Sequence, residues 1–311
     1  KLSWFTAFAR ESLRQSENTE RLVRMALHSR ECLRDIAQRE GIDFDMRETG
    51  LMHVYATKAQ FETAARANEG FTACGLERRA VIPNEIKSIE PALSGDYYGG
   101  FFTPGDFSGD VHKFSQGLLD ICRARGARTH LGTGIRAISV MDGKVRLTLE
   151  NDEAANFDNV VICAGVGSRR LAAMLGDSVN VYPVKGYSLT LGIAPETAMD
   201  GAPEVALLDE AAKIVTSRLG NRVRIAGLAE FRGADLSIDP ARAAVLEHWA
   251  KAHFPRLIAN ETATWTGLRP MMPSMTPMLG PGREKGVFYN TGHGHLGWTL
   301  SAGTAETIAG I

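Results

Sequence analysis

Cysteine is scarce and scattered. Cys32, Cys74, Cys122 and Cys163 are the four in 311 residues. There is no CxxC pair and no Cys/His ligand spacing, which argues against zinc and dithiol chemistry and leaves no metal site to expect. Isolated cysteines of this kind read as buried small hydrophobes and suit a reducing compartment. Long apolar runs are missing too: none reaches the ~18 residues of a membrane span. An excess of one charge is also missing. With 35 basic and 36 acidic residues, a net charge of −1 and no basic stripe interleaved with aromatics, an electrostatic nucleic-acid binder is excluded. The chain opens without signal-peptide architecture, and it has no internal repeat or low-complexity tract. It holds no GxSxG elbow and no nucleophile–base pair set by spacing, so hydrolase chemistry has no support and no side chain is assigned as catalytic. His28, His53, His112, His130, His248 and His253 read as surface or core residues.

What remains is ordinary globular text, 44% hydrophobic and 23% charged, long enough for two lobes. Residues 1–40 carry a helical period, with Trp4, Phe5 and Phe8 on one face and Leu22 to Ile36 continuing it, and Gly41 is a stop signal. A strand over 50–55, a helix near 58–73, a loop through Pro83 and Pro91, and a strand over 97–103 follow. Asp110 caps a helix over 111–125, with Val111, Phe114, Leu118, Leu119 and Cys122 inward.

Residues 133–162 give three strands. The first two are joined by a Met141-Asp142-Gly143-Lys144 hairpin, and the third, Val160 to Cys163, reads as buried on both faces. Strands over 182–191, 213–218 and 222–227 precede a helix from Asp239-Pro240 to His253, then strands near 261–267 and 286–291 and a final helix from about 298. Helix–strand alternation around a β-rich middle predicts a mixed α/β (α+β) chain that leaves one domain twice to build an antiparallel sheet elsewhere.

Four segments carry candidate chemistry. Gly292-His293-Gly294-His295-Leu296-Gly297 is a literal GxGxxG between a strand and a helix, where backbone N–H groups can approach a ligand at a helix N-terminus. No further βαβ half or ribose-binding acid follows it, so it is not a first dinucleotide fingerprint. It is either a ligand-facing turn or a structural one. Arg269, in Gly267-Leu268-Arg269-Pro270, sits in apolar text and needs an anionic partner. That partner is an internal carboxylate on the bland reading and a substrate carboxylate on the functional one. The Val160 strand runs into Ala164-Gly165-Val166-Gly167, small residues that let a ligand approach. Gly186, inside the strand Pro183 to Tyr187, signals a bulge or a close ligand, and Lys185 beside it reads as solvated.

The Pro183–Tyr187 strand, Gly267–Pro270 and Asn290–Thr299 together resemble the D-amino acid oxidase/dehydrogenase superfamily. The last segment is very like the closing motif of D-amino acid dehydrogenase small subunits, and Leu207–Glu210 and Arg224–Glu230 point the same way. The resemblance extends over essentially the whole chain.

It implies a flavin-binding domain over 1–44, 109–178 and 266–311 and an inserted antiparallel-sheet substrate domain over 45–108 and 179–265. It implies FAD as cofactor. Gly292, His293, Gly294, His295, Leu296, Gly297, Trp298 and Thr299 would present amides to the N1/C2=O edge of the ring, Ala164 and Gly165 would lie beside the cofactor, and the Ile135 backbone would touch its adenine end. Arg269 would hold the substrate carboxylate, and Tyr187 would line the substrate site. The activity implied is oxidative deamination of D-amino acids to 2-oxo acids and ammonia, by hydride transfer from Cα to flavin N5. Electrons would pass to a quinone or the respiratory chain, in a bacterial cytoplasmic enzyme peripheral to the inner face of the plasma membrane.

Family members begin with a strand, a GxGxxG turn, a helix and an acidic ribose ligand. The first residues here match the helical region beyond that point, so the flavin domain is expected to be N-terminally incomplete and to lack the pyrophosphate site. The alternatives are an oxidase or dehydrogenase of glycine, sarcosine or cyclic imino acids, and a flavin-free, non-catalytic fragment.

Overall fold

The opening helical period breaks once. In the computed structural model, which describes residues 2–311, α1 (Leu2–Glu11) and α2 (Gln15–Glu40) are separated by a 3-10 turn at Ser12–Arg14. Gly41 ends α2 with φ +64°, a conformation that favours glycine. Trp4 is the buried aromatic of α1 and stacks on Phe8, while Phe5 and Phe8 keep about two-fifths exposure (40% and 39%).

The chain continues through β1 (Leu51–Tyr55), α3 (Lys58–Ala73), β2 (Arg79–Val81), α4 (Pro83–Ile89), β3 (Gly99–Thr103) and α5 (Val111–Ala124). A reciprocal Thr57/Gln60 capping box starts α3. The expected loop near Pro83 contains a helix instead. Proline is at the first helical position, where its missing N–H costs nothing, and the Ile82 N–H donates to Glu85. The N-terminus of α5 is as read: the Asp110 carboxylate accepts from the amides of His112 and Lys113. Its face is narrower than expected. Phe114 is buried, but Val111 and Cys122 are exposed.

A meander of β4 (Ile135–Met141), β5 (Lys144–Leu149) and β6 (Ala154–Phe157) comes next, then β7 (Val160–Ile162), a 3-10 turn at Gly165–Gly167 and α6 (Ser168–Met174). The meander has one strand more than the sequence reading. Ala154–Phe157 has little strand character of its own and is held by pairing with β5. The view of Val160–Cys163 as buried on both faces is corrected. β7 is an edge strand pairing with β14 among the described residues, and Val161 and Cys163 are exposed.

The remaining elements are β8 (Tyr182–Ile193), a 3-10 turn at Pro195–Thr197, β9 (Ala206–Asp209), β10 (Ile214–Leu219), β11 (Arg222–Glu230), α7 (Pro240–His253), β12 (Ala259–Met271), β13 (Met278–Pro281), β14 (Val287–Thr291) and α8 (Gly297–Ala309). The Asp239 cap and Pro240 start of α7 are as expected, with Asp239 accepting from the Ala241 amide.

The chain divides into two units. One comprises Lys1–Glu40, Leu119–Val184 and Leu268–Ile311, and the other Gly41–Leu118 and Lys185–Gly267. In the first, β7 and β14 pair in parallel with β13 at the edge, β4–β6 form a separate sheet, and the core gathers Ile162, Ala172, Val181, Val287 and Tyr289. There α2 packs on α8, where the Gly303 N–H donates to the buried Ser29 hydroxyl at 3.1 Å.

The second unit is built on an eight-stranded sheet of order β12-β8-β11-β10-β9-β1-β3-β2. β1 and β9 run parallel, and β1/β3, β2/β3, β9/β10, β10/β11 and β8/β11 run antiparallel. Its core of Met52, Val54, Leu207, Ile214, Val223 and Ile225 is closed by Leu246 and Trp249 of α7. Burying a side chain such as Leu246 stabilises by about 2 kcal/mol. No helix among the described residues is long and apolar enough to cross a membrane.

Candidate active site

Two parallel strands of the first unit end in small-residue turns on the same side. β7 leads into Ala164-Gly165 and β14 into Gly292–Gly297, with Val287 opposite Val160 and Tyr289 opposite Ile162. The carboxyl ends of parallel strands are where α/β sheets bind ligands. A buried hydroxyl pair ties the turns together: Ser168 Oγ and Thr291 Oγ1 lie 2.7 Å apart, and Thr291 Oγ1 donates to the Gly165 carbonyl at 3.4 Å.

The glycines serve different purposes. Gly165 has φ +54° and open space where a Cβ would stand. Gly292 (φ +79°) and Gly294 (φ +60°) are also left-handed, but a Cβ there would meet Met272 Cγ at 2.5 Å and Met271 Sδ at 2.8 Å. The second turn is therefore seated on the end of β12. The Gly294 N–H donates to the Pro270 carbonyl at 3.0 Å, and His293 bridges Met271. Arg269 and the glycine turn, which the sequence separates, thus meet within one unit. Burial lowers the pKa of the half-buried Arg269.

His293 is held below the ordinary histidine value by burial, with Nε2 3.2 Å from Thr304 Oγ1. The pKa of His295 is lowered too, by desolvation and then by the positive charge of Arg269. α8 begins at Gly297 with no side-chain cap from Leu296. Its first amides, which include those of Trp298 and Thr299, form the positive end of a helix dipole.

The other expected residues are on other strands, β4 and β8. Ile135 opens β4, and its carbonyl accepts from Arg170 of α6 at 2.6 Å, in the helix that follows the Gly165 turn. Tyr187 belongs to the second unit and is 1% exposed. Its hydroxyl donates to Glu230 at 3.1 Å and accepts from the Asp239 N–H at 3.4 Å. Lys185 is not solvated, as its sequence context suggested. It is 0% exposed, 3.1 Å from Glu230 and 3.4 Å from Asp235, and it donates to the Ser237 carbonyl. Burial acts to lower its pKa, but the bonds to Glu230 and Tyr187 and the Asp235 and Glu230 charges leave it raised. The irregularity signalled by Gly186 is a bulge in the partner strand: the β8/β11 register shifts between Gly227 and Glu230, and Leu228 is left-handed at φ +62°.

Two features escaped the sequence reading. Asn290, one residue before Thr291, has a buried Oδ1 without a hydrogen-bond partner among the described residues. An acceptor left so is worth roughly 1–3 kcal/mol to any donor that reaches it. The other is a Cys/His spacing after all. His28 and Cys32 stand one turn apart on α2 and converge with Glu306 of α8.

The family described as FAD dependent oxidoreductase (DAO) matches residues 3–311. The chain belongs to this family. The D-amino acid dehydrogenase 3 of Mesorhizobium japonicum is 46% identical over 314 residues, spanning 100% of this chain and 76% of the relative. The D-amino acid dehydrogenase of Phenylobacterium zucineum is 39% identical over 314 residues, spanning 99% and 73%. Among solved structures, glycine oxidase from Geobacillus kaustophilus superposes with a TM-score of 0.84 at 24% identity over 92% of this chain and 77% of its own. L-proline dehydrogenase from P. horikoshii superposes with a TM-score of 0.80 at 16% identity over 92% and 77%. At such identities these two show the DAO-family fold alone, the mixed α/β fold expected from the sequence. The family cofactor suits the residues present. The open space at Gly165, the uncapped start of α8 and the orphaned Asn290 acceptor offer room, positive potential and a hydrogen-bond acceptor in one unit.

Proposed function

We propose that this chain carries out FAD-dependent oxidative deamination of D-amino acids to 2-oxo acids and ammonia. The observation that carries the reading is the Gly294-to-Pro270 hydrogen bond, which joins the Arg269 strand end to the glycine turn at the start of α8. In this reading the first unit is the flavin-binding domain and the second the substrate domain. Bound FAD supplies the hydride acceptor.

The rest falls to the chain. The Gly292–Thr299 turn would lie against the pyrimidine edge of the ring. The Gly294 amide is taken by Pro270 and the Leu296 amide by His293, so the amides at the start of α8, Trp298 and Thr299 among them, would with the helix dipole stabilise negative charge there. Ala164 and Gly165 would leave room for the cofactor, and the Ile135 backbone would hold its adenine end. Arg269 pairs with the substrate carboxylate through two N–H groups, a contact strengthened by the partial burial that lowers its pKa. That pairing fixes Cα, so positioning rather than acid–base chemistry supplies most of the rate enhancement. The substrate amine must be neutral before hydride leaves, and its proton goes to solvent. The resulting imine adds water to give the 2-oxo acid and ammonia. His293 and His295, both lowered, stay neutral near pH 7 and do not compete with Arg269 for the carboxylate. Tyr187, its hydroxyl held by Glu230, is the substrate-site residue contributed by the substrate domain in this reading. The electron acceptor is a quinone or the respiratory chain, reached by peripheral association with the inner face of the membrane.

The test is turnover of the FAD-loaded protein with D- and L-enantiomers of several amino acids, with a dye and with oxygen as acceptors. Dye reduction with D-enantiomers, giving 2-oxo acid and ammonia, is expected. Peroxide release with glycine or sarcosine and oxygen would favour the oxidase reading. A flavin-loaded protein inert to all of them would remove the deaminase.

A further inference from the structure

His28 and Cys32 lie on one face of α2, and Glu306 meets them from α8. The crossing of the two helices sets this meeting. At its centre Gly303 lacks the side chain that would press on Ser29, since a Cβ there would come within 3.0 Å of Ser29 Cβ, and the Gly303 amide donates to the Ser29 hydroxyl. Cys32 follows Ser29 by three residues and Glu306 follows Gly303 by three, so both leave the crossing one turn further along. His28 precedes Cys32 by four and covers the same spot. The chain thus brings an imidazole, a thiol and a carboxylate to one point from two backbones already locked together.

We propose that His28, Cys32 and Glu306 form a binding site for a zinc-class divalent metal ion, with water completing the coordination. The ligand atoms all lie within 4.8 Å of one another. Cys32 Sγ is 3.5 Å from His28 Nε2 and 3.3 Å from Glu306 Oε2. Around a tetrahedral zinc, with bonds of about 2.0–2.3 Å, neighbouring ligand atoms stand roughly 3.3–3.7 Å apart. Two of the three separations therefore already fit. The third, 2.6 Å between His28 Nε2 and Glu306 Oε2, is a hydrogen bond between two exposed side chains. Opening it by about 0.7 Å makes room for the ion by side-chain rotation, with no backbone shift. The side chains of His28 and Glu306 are 56% and 62% exposed, which leaves an entry path and a place for water. A mixed nitrogen, sulfur and oxygen set selects borderline ions such as zinc or cobalt over calcium or magnesium. A bound ion would clamp α2 to α8 and would act independently of the proposed redox site.

The experiment titrates the purified protein with zinc chloride by calorimetry, and with cobalt chloride while recording the thiolate-to-cobalt absorption band. The parent should bind one ion per chain, show the band and gain thermal stability with zinc. Cys32→Ser should lose the band. Cys32→Ser, His28→Ala and Glu306→Gln should each weaken zinc by about ten-fold or more and lose the zinc-dependent rise in melting temperature. Circular dichroism without metal should be unchanged, since these are surface changes. The exposed Cys122 and Cys163 serve as controls, and Cys122→Ser and Cys163→Ser should bind as the parent does. Zinc binding that survives Cys32→Ser undiminished, a band abolished by either control, or no binding by the parent would overturn the site.

Discussion

The N–H of Gly294 and the carbonyl of Pro270 lie 3.0 Å apart, so the turn before α8 is fastened to the residue after Arg269. The glycine turn and the Arg269 strand end are thus joined through the backbone, and the candidate site should respond to changes in the glycines as well as to changes in Arg269.

Arg269→Ala should raise KM for D-amino acids by a factor of roughly 30 to several hundred. That corresponds to about 2–4 kcal/mol for a lost charge-assisted pair. Arg269→Lys should recover part of this, because a point charge replaces the planar fork. Steady-state kinetics decide it, and an unchanged KM in the alanine variant would take Arg269 out of substrate binding.

Gly165→Val adds a side chain to open space at φ +54° and should lower flavin content. Gly126→Val is the control. Gly126 is also left-handed, at φ +93° with open space around it, so it shares the strain of about 1–2 kcal/mol without the proposed contact. Flavin absorbance per protein should fall in the first and hold in the second. Equal flavin content in both would separate Gly165 from the cofactor.

The strength of local signals explains how much of this was legible. The cap at Asp239-Pro240, the Asp110 cap and the Gly41 stop are set by neighbouring residues, and they sit where the sequence puts them. Lys185 was misread because its partners Glu230 and Asp235 are 45 or more positions away and one of them arrives by a bulge. Val160–Ile162 was misread for a related reason. An apolar run reports the capacity to be buried, not the number of neighbours it finds. In the candidate site, each motif was visible alone, but the seating of Gly292 and Gly294 on Met271 and Met272 depends on strand placement that spacing does not encode.

Gly303→Val should destabilise the first unit. Its Cβ would meet Ser29 Cβ at 3.0 Å, Cα at 3.1 Å and N at 3.2 Å, and two of these three are backbone atoms that cannot rotate away. Overpacking of this kind costs about 1–3 kcal/mol, or several degrees in Tm, with a smaller loss for Gly303→Ala. Thermal unfolding checks it, and a Tm equal to the parent's would mean that the helices do not cross so closely.

Acid should weaken the second unit in two stages. Burial lowers the His53 pKa, although its bond to Glu210, 2.8 Å long, opposes the shift. The unfolded chain therefore takes up that proton first, and stability declines as pH falls through the ordinary histidine range. Glu210 is held down to about 2 by its hydrogen bond from His53, and by Lys213, against its burial. Its contribution is complete above the ordinary carboxylate value of 4.5 and is lost as pH falls from there toward 2. Glu210→Gln should flatten the lower stage by roughly 1–2 kcal/mol after allowance for solvent screening. Urea midpoints between pH 7 and pH 3 measure it, and an identical slope below pH 4.5 in the variant would refute the assignment.

The Ser29–Gly303 bond spans 274 positions, and β7 likewise waits for β14. On the ribosome, α2 emerges long before its partner helix exists, whereas the strands at the heart of the second unit are all made by residue 267. The second unit can therefore settle before α8 is made, while α2 keeps the face that packs on α8 open until that helix arrives. Shortened chains that stop before α8 should consequently depend on chaperones and be cleared by proteases, even with every strand of the large sheet intact.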